Sequence, residues 1–193
     1  EVKIARDGEI LCKGPNVMKG YFKDSKLTAK TIKNGFLYTG DIGEIDKDGF
    51  LKITDRKKQL FKTSGGKYIA PQVIENKMKR SPFIEQVMVI GEGEKMPSAL
   101  IQPDFQYVKN WLLNNKFPFS DDLKKICLNN ELLKKINLEI NKINEEFGDW
   151  ERIKKFELTP EIWSIENGLL TPTMKLKRKS ILEKFINKLY IFF

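Results

Sequence analysis

The stretch between Tyr38 and Lys67, YTGDIGEIDKDGFLKITDRKKQLFKTSGGK, constrains the fold of this chain more than any other. It packs a Thr-Gly-Asp turn, an Asp-Gly turn, a run of charged residues and a Ser-Gly-Gly-Lys loop into thirty residues. Because glycine lacks a Cβ atom and enters positive φ freely, glycines at this density mark sharp turns or close approaches of the backbone. Asp48-Gly49 lies between two alternating segments and predicts a β-hairpin.

Apolar residues beyond position 58 follow the two periodicities of regular secondary structure. Continuous apolar runs predict strands over 84–91 and 97–104, and spacings of three and four predict helices over 71–80, 105–115 and 131–147. The longest of these helices has one apolar face that we expect in the core, formed by Leu132, Leu133, Ile136, Ile140, Ile143 and Phe147. Strands and helices that share one compact unit with a mixed sheet indicate the α+β class.

A final helix is predicted from a capping-box pattern, in which Ser180 is followed three residues later by Glu183. We expect this helix to begin there and to bury an apolar face formed by Ile181, Leu182, Phe185, Ile186 and Leu189. The last aromatic residues, Tyr190, Phe192 and Phe193, lie on or beside that face. They do not interleave with basic residues as the stacking aromatics of a nucleic-acid-binding protein do.

Composition excludes several classes of chemistry. The chain contains no histidine and only two cysteines, Cys12 and Cys127. Without histidine, Ser-His and Cys-His mechanisms and most transition-metal sites are excluded. Two cysteines without metal-type spacing predict a cytoplasmic location, and no apolar run near 18 residues predicts a membrane span. The chain opens without methionine in a β-rich stretch, so we expect a fragment of a longer protein.

Positive charge is concentrated near the C-terminus. Residues 171–193 hold six basic side chains and one acidic side chain, in a chain of net charge +9. Such a cluster favours a phosphate-bearing partner, and the sequence leaves open a nucleotide, a nucleic acid or an acidic membrane surface.

Five segments, in chain order, resemble the last five signatures of the adenylate-forming acyl-CoA synthetases: GEILCKGPNVMKGYF, YTGD, DRKK, SGGKYIAPQVIE and TPTMKLKRK. In detail they are similar to the branch of AMP-forming long-chain fatty acid CoA ligases. The resemblance implies that residues 1–57 end the large, β-rich nucleotide-binding domain. It also implies that residues 58–193 form the mobile C-terminal domain, a compact α/β unit.

The resemblance assigns two residues to the nucleotide. Asp41 ends the Thr-Gly-Asp turn, and a carboxylate, which only accepts hydrogen bonds, suits the two adjacent ribose hydroxyls. Arg56 matches an arginine near the ribose and phosphate, a role that fits its fixed cationic fork. The alternative for both residues is an ordinary turn and surface charge.

Three further residues are assigned to the movement between domains and to CoA. Lys58 falls at the hinge position, where a solvated polar side chain does not resist a change of φ and ψ. Gly65 and Gly66 match the glycine loop that lines the pantetheine tunnel, where the absence of side chains leaves room for the ligand. A simple β-turn is compatible with the same residues.

The family's catalytic lysine lies four residues after a threonine in the form P-x-T-x-x-x-K. Counting from Thr173 gives Lys177. Short-chain members have Ser-Gly before this lysine, whereas this chain has Lys175-Leu176, so Lys175 remains an alternative. The reaction needs one cation that contacts both the fatty acid carboxylate and the α-phosphate.

The implied reaction is the ATP-dependent activation of a fatty acid as acyl-adenylate, followed by transfer to CoA. Mg²⁺ is expected to bind through the ATP phosphates, so no metal site built by the protein is predicted. The fragment alone is expected to be inactive, because the preceding part of the enzyme supplies the phosphate loop and the acyl pocket. A carrier protein as acceptor, peripheral contact with the inner face of a membrane and a nucleic-acid-binding module are the alternatives, the last being disfavoured.

Overall fold

The computed structural model of the protein describes the backbone of residues 1–189 and the side chains of residues 1–185. The chain divides into two compact units, Glu1–Leu60 and Phe61–Phe193. Within residues 1–189, no helix has the length and apolarity needed to cross a bilayer.

The first unit is an antiparallel sheet with one short helix. The elements are β1 Val2–Ile4, β2 Glu9–Cys12, α1 Ser25–Thr31, β3 Ile32–Lys33, β4 Phe36–Ile45 and β5 Leu51–Arg56. The strands run in the order β1, β2, β4, β3, and β5 pairs with the long strand β4.

The β4–β5 hairpin confirms the prediction from Asp48-Gly49. Gly49 adopts φ +86°, and the Asp46 carboxylate accepts the amides of Asp48 at 3.0 Å and Phe50 at 2.8 Å. Within β4, before the turn, a Cβ atom on Gly43 would lie 2.5 Å from the Lys52 carbonyl oxygen, so only glycine allows the strands to approach this closely. The register shifts between Ile42 and Gly43. The Thr-Gly-Asp segment was predicted as a turn, but it lies inside β4, where the pairing with β2 is irregular.

The second unit contains a three-stranded mixed sheet in the order β10, β9, β8, with β8 antiparallel and β10 parallel to β9. A two-stranded ribbon, β6–β7, precedes it. The mixture of strands and helices confirms the α+β class. The elements are β6 Phe61–Lys62, β7 Tyr68–Ile69, α2 Pro71–Met78, β8 Ile84–Ile90, β9 Ser98–Pro103, α3 Phe105–Asn114, α4 Leu123–Cys127, α5 Asn130–Asn144, β10 Lys155–Leu158 and α6 Arg178–Leu189.

Both faces of the mixed sheet are buried. Along β8, Val87 and Val89 belong to one apolar cluster, whereas Met88 and Ile90 belong to a second. The first cluster includes the buried side chains of α2, α3 and α5, and the second includes Ile181 and Phe185 of α6. A strand that is buried on both sides needs apolar side chains at consecutive positions, which explains the continuous run in its sequence.

Helix α5 confirms the predicted apolar face. Leu132, Ile136 and Ile140 are buried, and Leu133, Ile143 and Phe147 pack partly buried against the same cluster. At its C-terminal end, the buried Asn144 side chain accepts the Ile153 amide and donates to the Ile153 carbonyl oxygen, both at 2.9 Å. These two bonds fix the chain that leads into β10.

The predicted start of one helix was wrong, and another helix was missed. Helix α6 begins at Arg178, and its first helical bond runs from the Ile181 amide to the Lys177 carbonyl oxygen, so Ser180 lies inside the first turn and does not cap it. Helix α4 was missed because five residues are too few to display a period.

The predicted apolar face of α6 is confirmed in part, since Ile181 and Phe185 are buried and Leu182 is exposed. The side chains of Ile186 and Leu189, and the aromatic residues Tyr190, Phe192 and Phe193, lie outside the described residues.

We expect Ile136→Ala to lower the free energy of unfolding by about 2–5 kcal/mol, because it leaves a cavity at a fully buried position. The matched control is Leu138→Ala on the same helix, where the side chain is 63% exposed. That substitution is expected to change the free energy by less than about 0.5 kcal/mol. Urea unfolding followed by circular dichroism compares the two, and equal losses would contradict the assignment of the α5 core face.

Candidate functional site

The first unit brings Asp41 and Arg56 together. They occupy opposite positions on β4 and β5, and Arg56 Nε lies 2.7 Å from Asp41 Oδ1. The Asp41 side chain is 21% exposed and that of Arg56 is 55% exposed. A carboxylate has about four lone-pair sites and a guanidinium five N–H donors, so both groups retain bonding capacity for a ligand while they remain paired.

The part of β4 that carries Asp41 is fixed from three directions. Gly40 has φ +74°, its amide donates to Glu9 Oε1 at 2.9 Å, and its carbonyl oxygen accepts the Lys57 amide at 2.8 Å. Thr39 Oγ1 donates to the Ile10 carbonyl oxygen at 2.7 Å and accepts the Asp41 amide at 3.1 Å. The backbone of Asp41 is therefore held independently of its ion pair.

The Lys57 ammonium group lies between two carboxylates. Its Nζ atom is 2.6 Å from Asp7 Oδ2 and 2.7 Å from Oε2 of Glu9, whose side chain is almost fully buried. Hydrogen bonding to Asp7, then to Glu9, raises the pKa of Lys57, and the bond from Lys57 lowers the pKa of Asp7. The sequence analysis missed this cluster because Lys57 lies 50 positions from Asp7 and 48 from Glu9, and no local pattern relates them.

Lys58 lies in the turn that follows β5. Its side chain is exposed, and the turn is closed by the Gln59 amide, which donates to the Arg56 carbonyl oxygen at 2.8 Å. Among residues 1–185, no hydrogen bond or ion pair involves the Lys58 side chain. This environment is compatible with the predicted hinge but does not test it.

The glycine loop forms a tight turn between β6 and β7. The Thr63 amide donates to the Lys67 carbonyl oxygen at 2.9 Å, and Gly66 has φ +80°. A Cβ atom built on Gly65 would meet no heavy atom nearer than 4.0 Å, and Gly65 does not adopt positive φ. Backbone conformation therefore requires glycine at position 66 but not at position 65, where the missing side chain only leaves space.

In the segment that carries Lys177, the backbone is held by hydrogen bonds and the lysine side chains are exposed. The Lys177 amide donates to the Leu169 carbonyl oxygen at 2.9 Å, and its carbonyl oxygen accepts the Ile181 amide at 3.0 Å. Lys175 lies in the preceding turn, where its amide donates to Thr171 Oγ1 at 3.0 Å. Within residues 1–185, neither lysine side chain makes an ion pair or a hydrogen bond.

A buried ion pair lies next to Lys177. Arg178 Nη1 is 2.6 Å from Glu75 Oε1, which also accepts the Val89 amide at 2.7 Å, and Arg178 Nη2 donates to the Val89 carbonyl oxygen. The Glu75 side chain is only 8% exposed. No local sequence pattern indicates this pair, because its two residues are 103 positions apart.

The structure thus pairs Asp41 with Arg56, but it does not join the glycine loop to Lys177 by any direct hydrogen bond among the described residues. Helix α2, which follows the glycine loop, contacts the residue after Lys177 through Glu75.

Comparison with known proteins places the chain in a family. The profile of the AMP-binding enzyme C-terminal domain matches residues 58–191. The chain belongs to this family.

Members of the AMP-binding enzyme family resemble the chain over nearly its whole length. It is 41% identical over 191 residues to long-chain-fatty-acid–CoA ligase 1 of Cavia porcellus, covering 95% of this chain and 27% of that protein. It is 36% identical over 184 residues to long-chain-fatty-acid–CoA ligase FadD15 of Mycobacterium tuberculosis, covering 95% of this chain and 31% of that protein. The chain therefore spans less than a third of the length of these relatives.

The fold is similar to that of a solved adenylation domain. The carboxylate reductase adenylation domain from Mycobacterium chelonae superposes with a TM-score of 0.77 at 23% identity, over 96% of this chain and 27% of that one. This similarity supports the α+β fold.

We expect Lys57→Met to destabilise the first unit by about 1–3 kcal/mol, because the buried Glu9 carboxylate loses its cation. Lys52→Met is the matched control, since Lys52 forms an exposed pair with Glu44 at 3.6 Å, and such pairs contribute about 0–1 kcal/mol. Denaturant unfolding at pH 7 measures both variants.

The destabilisation by Lys57→Met should depend on pH. The lowered pKa of Asp7 contributes stability above its unfolded pKa of about 3.9, and this contribution disappears as the pH falls through the folded pKa. The raised pKa of Lys57 contributes stability below about pH 10.4, which is lost as the pH rises through the folded pKa. A difference from the wild type that stays constant from pH 3 to pH 11 would contradict the cluster's assigned role.

Proposed function

We propose that this chain is the C-terminal part of an AMP-forming ligase that activates a long-chain fatty acid with ATP and transfers the acyl group to CoA. The observation that carries the proposal is the identity of 36–41% to long-chain-fatty-acid–CoA ligases over 95% of the chain. This similarity runs through both compact units, and all five sequence signatures lie within it.

The proposed reaction has two steps. A fatty acid carboxylate oxygen attacks the α-phosphorus of ATP, a C–O–P bond forms, and the bond to the β-phosphate breaks to release pyrophosphate. The CoA sulfur then attacks the acyl carbon, the thiol proton is lost, and the C–O bond to the phosphate breaks to release AMP. The first step concentrates negative charge near the α-phosphate, where a positioned cation stabilises the transition state.

Asp41 and Arg56 are assigned to the nucleotide. Their ion pair holds the carboxylate on a strand whose backbone is already fixed, so Asp41 is oriented before a ligand binds. Its remaining lone pairs accept the ribose hydroxyls, and the free N–H donors of Arg56 suit the ribose and phosphate oxygens.

Lys177 is assigned as the cation of the first step, with Lys175 as the alternative. Lys177 combines an exposed ammonium group with a backbone held at both its amide and its carbonyl oxygen. A lysine without a protein partner among residues 1–185 keeps its charge available for the two anionic reactants. Lys58 is assigned to the hinge, and Gly65 and Gly66 to the pantetheine arm of CoA.

Mg²⁺ that accompanies ATP is assigned to the phosphates of the substrate, as is usual for this ion, and no step is assigned to residues of this chain through it. In the described part of the chain, no group of three or more Asp, Glu, His or Cys residues is arranged to hold a metal ion.

Location and acceptor follow from the same assignment. We place the enzyme in the cytoplasm, with peripheral contact with the inner face of a membrane. The acceptor is CoA, and a pantetheine-bearing carrier protein is the alternative. Comparing acyl transfer to CoA and to a loaded carrier protein decides between them.

In the complete enzyme, Lys177→Ala is expected to slow adenylate formation by at least about 10²-fold, because it removes the cation from the charged transition state. Acyl transfer from supplied acyl-adenylate to CoA should remain largely intact. Lys175→Ala is the matched control on the same exposed segment. Single-turnover assays of each half-reaction measure both variants, and a larger adenylation loss in Lys175→Ala would transfer the catalytic role to Lys175.

A bulky side chain at Gly65 should give the opposite pattern. Gly65→Val adds volume in open space without backbone strain, so we expect it to fold and to slow only the transfer of the acyl group to CoA. Gly66→Val would also strain the backbone at φ +80°, which makes it the less specific variant. Adenylate formation by Gly65→Val is the internal control, and its loss would contradict the CoA assignment of the loop.

A further inference from the structure

The backbone of Lys177 is held on both sides by interactions with different elements. The Lys177 amide donates to the Leu169 carbonyl oxygen. The guanidinium of the next residue, Arg178, binds both Glu75 of α2 and the Val89 carbonyl oxygen of β8. Because Arg178 is the next residue in the chain, these bonds determine where the Lys177 side chain leaves the protein surface. Lys175 lies in the preceding turn, where its amide donates to Thr171 Oγ1.

Glu75 and Arg178 form an ion pair in which the carboxylate is nearly buried. The Glu75 carboxylate is largely removed from water and accepts the Val89 amide in addition to Arg178. A buried carboxylate without a cation is costly, so the pair strongly favours a single arrangement of α2, β8 and the start of α6. Two donors of one planar guanidinium contact adjacent elements, which also fixes the direction of the arginine side chain.

We propose that Glu75 and Arg178 are positioning residues for Lys177, an inference that rests on the proposed function. Neither contacts a reactant. Together they hold the first turn of α6 against α2 and β8, so that the Lys177 ammonium group starts from a fixed origin when it meets the carboxylate and the α-phosphate. Since catalysis is sensitive to displacements of about 1 Å, which can cost on the order of 10²-fold in rate, the loss of this anchor should mainly slow adenylation.

The test uses the complete enzyme with Arg178→Gln, which removes the charge, and Arg178→Lys, which keeps it. We expect Arg178→Gln to lower kcat for adenylate formation by about 10- to 100-fold with little change in the KM for ATP. Acyl transfer from supplied acyl-adenylate should stay within about twofold of the wild type. Arg178→Lys should recover part of the rate, because its ammonium group pairs with Glu75 but does not reproduce the planar fork.

The matched control is Lys179→Gln. Lys179 lies in the same helical turn, its side chain is 90% exposed, and its pair with Glu183 is long, at 3.8 Å. Its loss of charge should leave both half-reactions unchanged. Thermal unfolding identifies any variant that does not fold, and if Arg178→Gln fails, Arg178→Lys alone decides by its ratio of the two half-reaction rates.

Three outcomes would overturn the positioning roles. Equal losses in both half-reactions would indicate a purely structural pair. An Arg178→Gln variant with wild-type adenylation would show that the anchor is dispensable. An equal effect of Lys179→Gln would indicate a general effect of charge. A wild-type enzyme that forms no acyl-adenylate overturns the proposed function instead. The two failures are therefore distinguishable.

Discussion

A buried carboxylate must be satisfied by donors and by a cation, and each compact unit contains such a group. In the first unit, Glu9 accepts the Gly40 amide and the Lys57 ammonium group. In the second, Glu75 accepts the Val89 amide and the Arg178 guanidinium. In both units the cation and the carboxylate come from different family signatures, so the signatures hold one another in place as well as serving the proposed reaction.

Stability alone does not explain these two ion pairs, in each of which the carboxylate is nearly buried and the cation is partly exposed. Apolar residues of similar volume often replace a buried ion pair at no loss of stability, and the main cost arises when one partner is removed. What an ion pair adds is a defined direction, because its hydrogen bonds allow few alternative arrangements. Directional control is useful beside Asp41 and Lys177, the two side chains assigned to the nucleotide and to the reacting carboxylate. The position of each pair therefore favours a role in orientation.

Local patterns predicted most of the elements but not these pairs. The Asp48-Gly49 turn, the apolar face of α5 and the continuous runs of β8 and β9 are properties of neighbouring residues, and each was confirmed. Glu75 and Arg178 are 103 positions apart, and no periodicity relates them. The predicted start of α6 was also wrong, because the helix begins at Arg178 and its first helical bond runs to the Lys177 carbonyl oxygen, before the capping-box pattern at Ser180.

The contrast between a fixed backbone and an exposed side chain at Lys177 has a thermodynamic consequence. Ordering a lysine side chain costs about 2 kcal/mol of rotamer entropy, and an unanchored segment would add about 1–2 kcal/mol for each residue whose backbone must also be ordered. The bonds at Leu169, Ile181 and Glu75 order the backbone during folding, before any substrate binds. In the proposed reaction, only the side-chain term then remains to be offset by the attraction between the ammonium group and the two anionic reactants, so more of that attraction is available to lower the barrier.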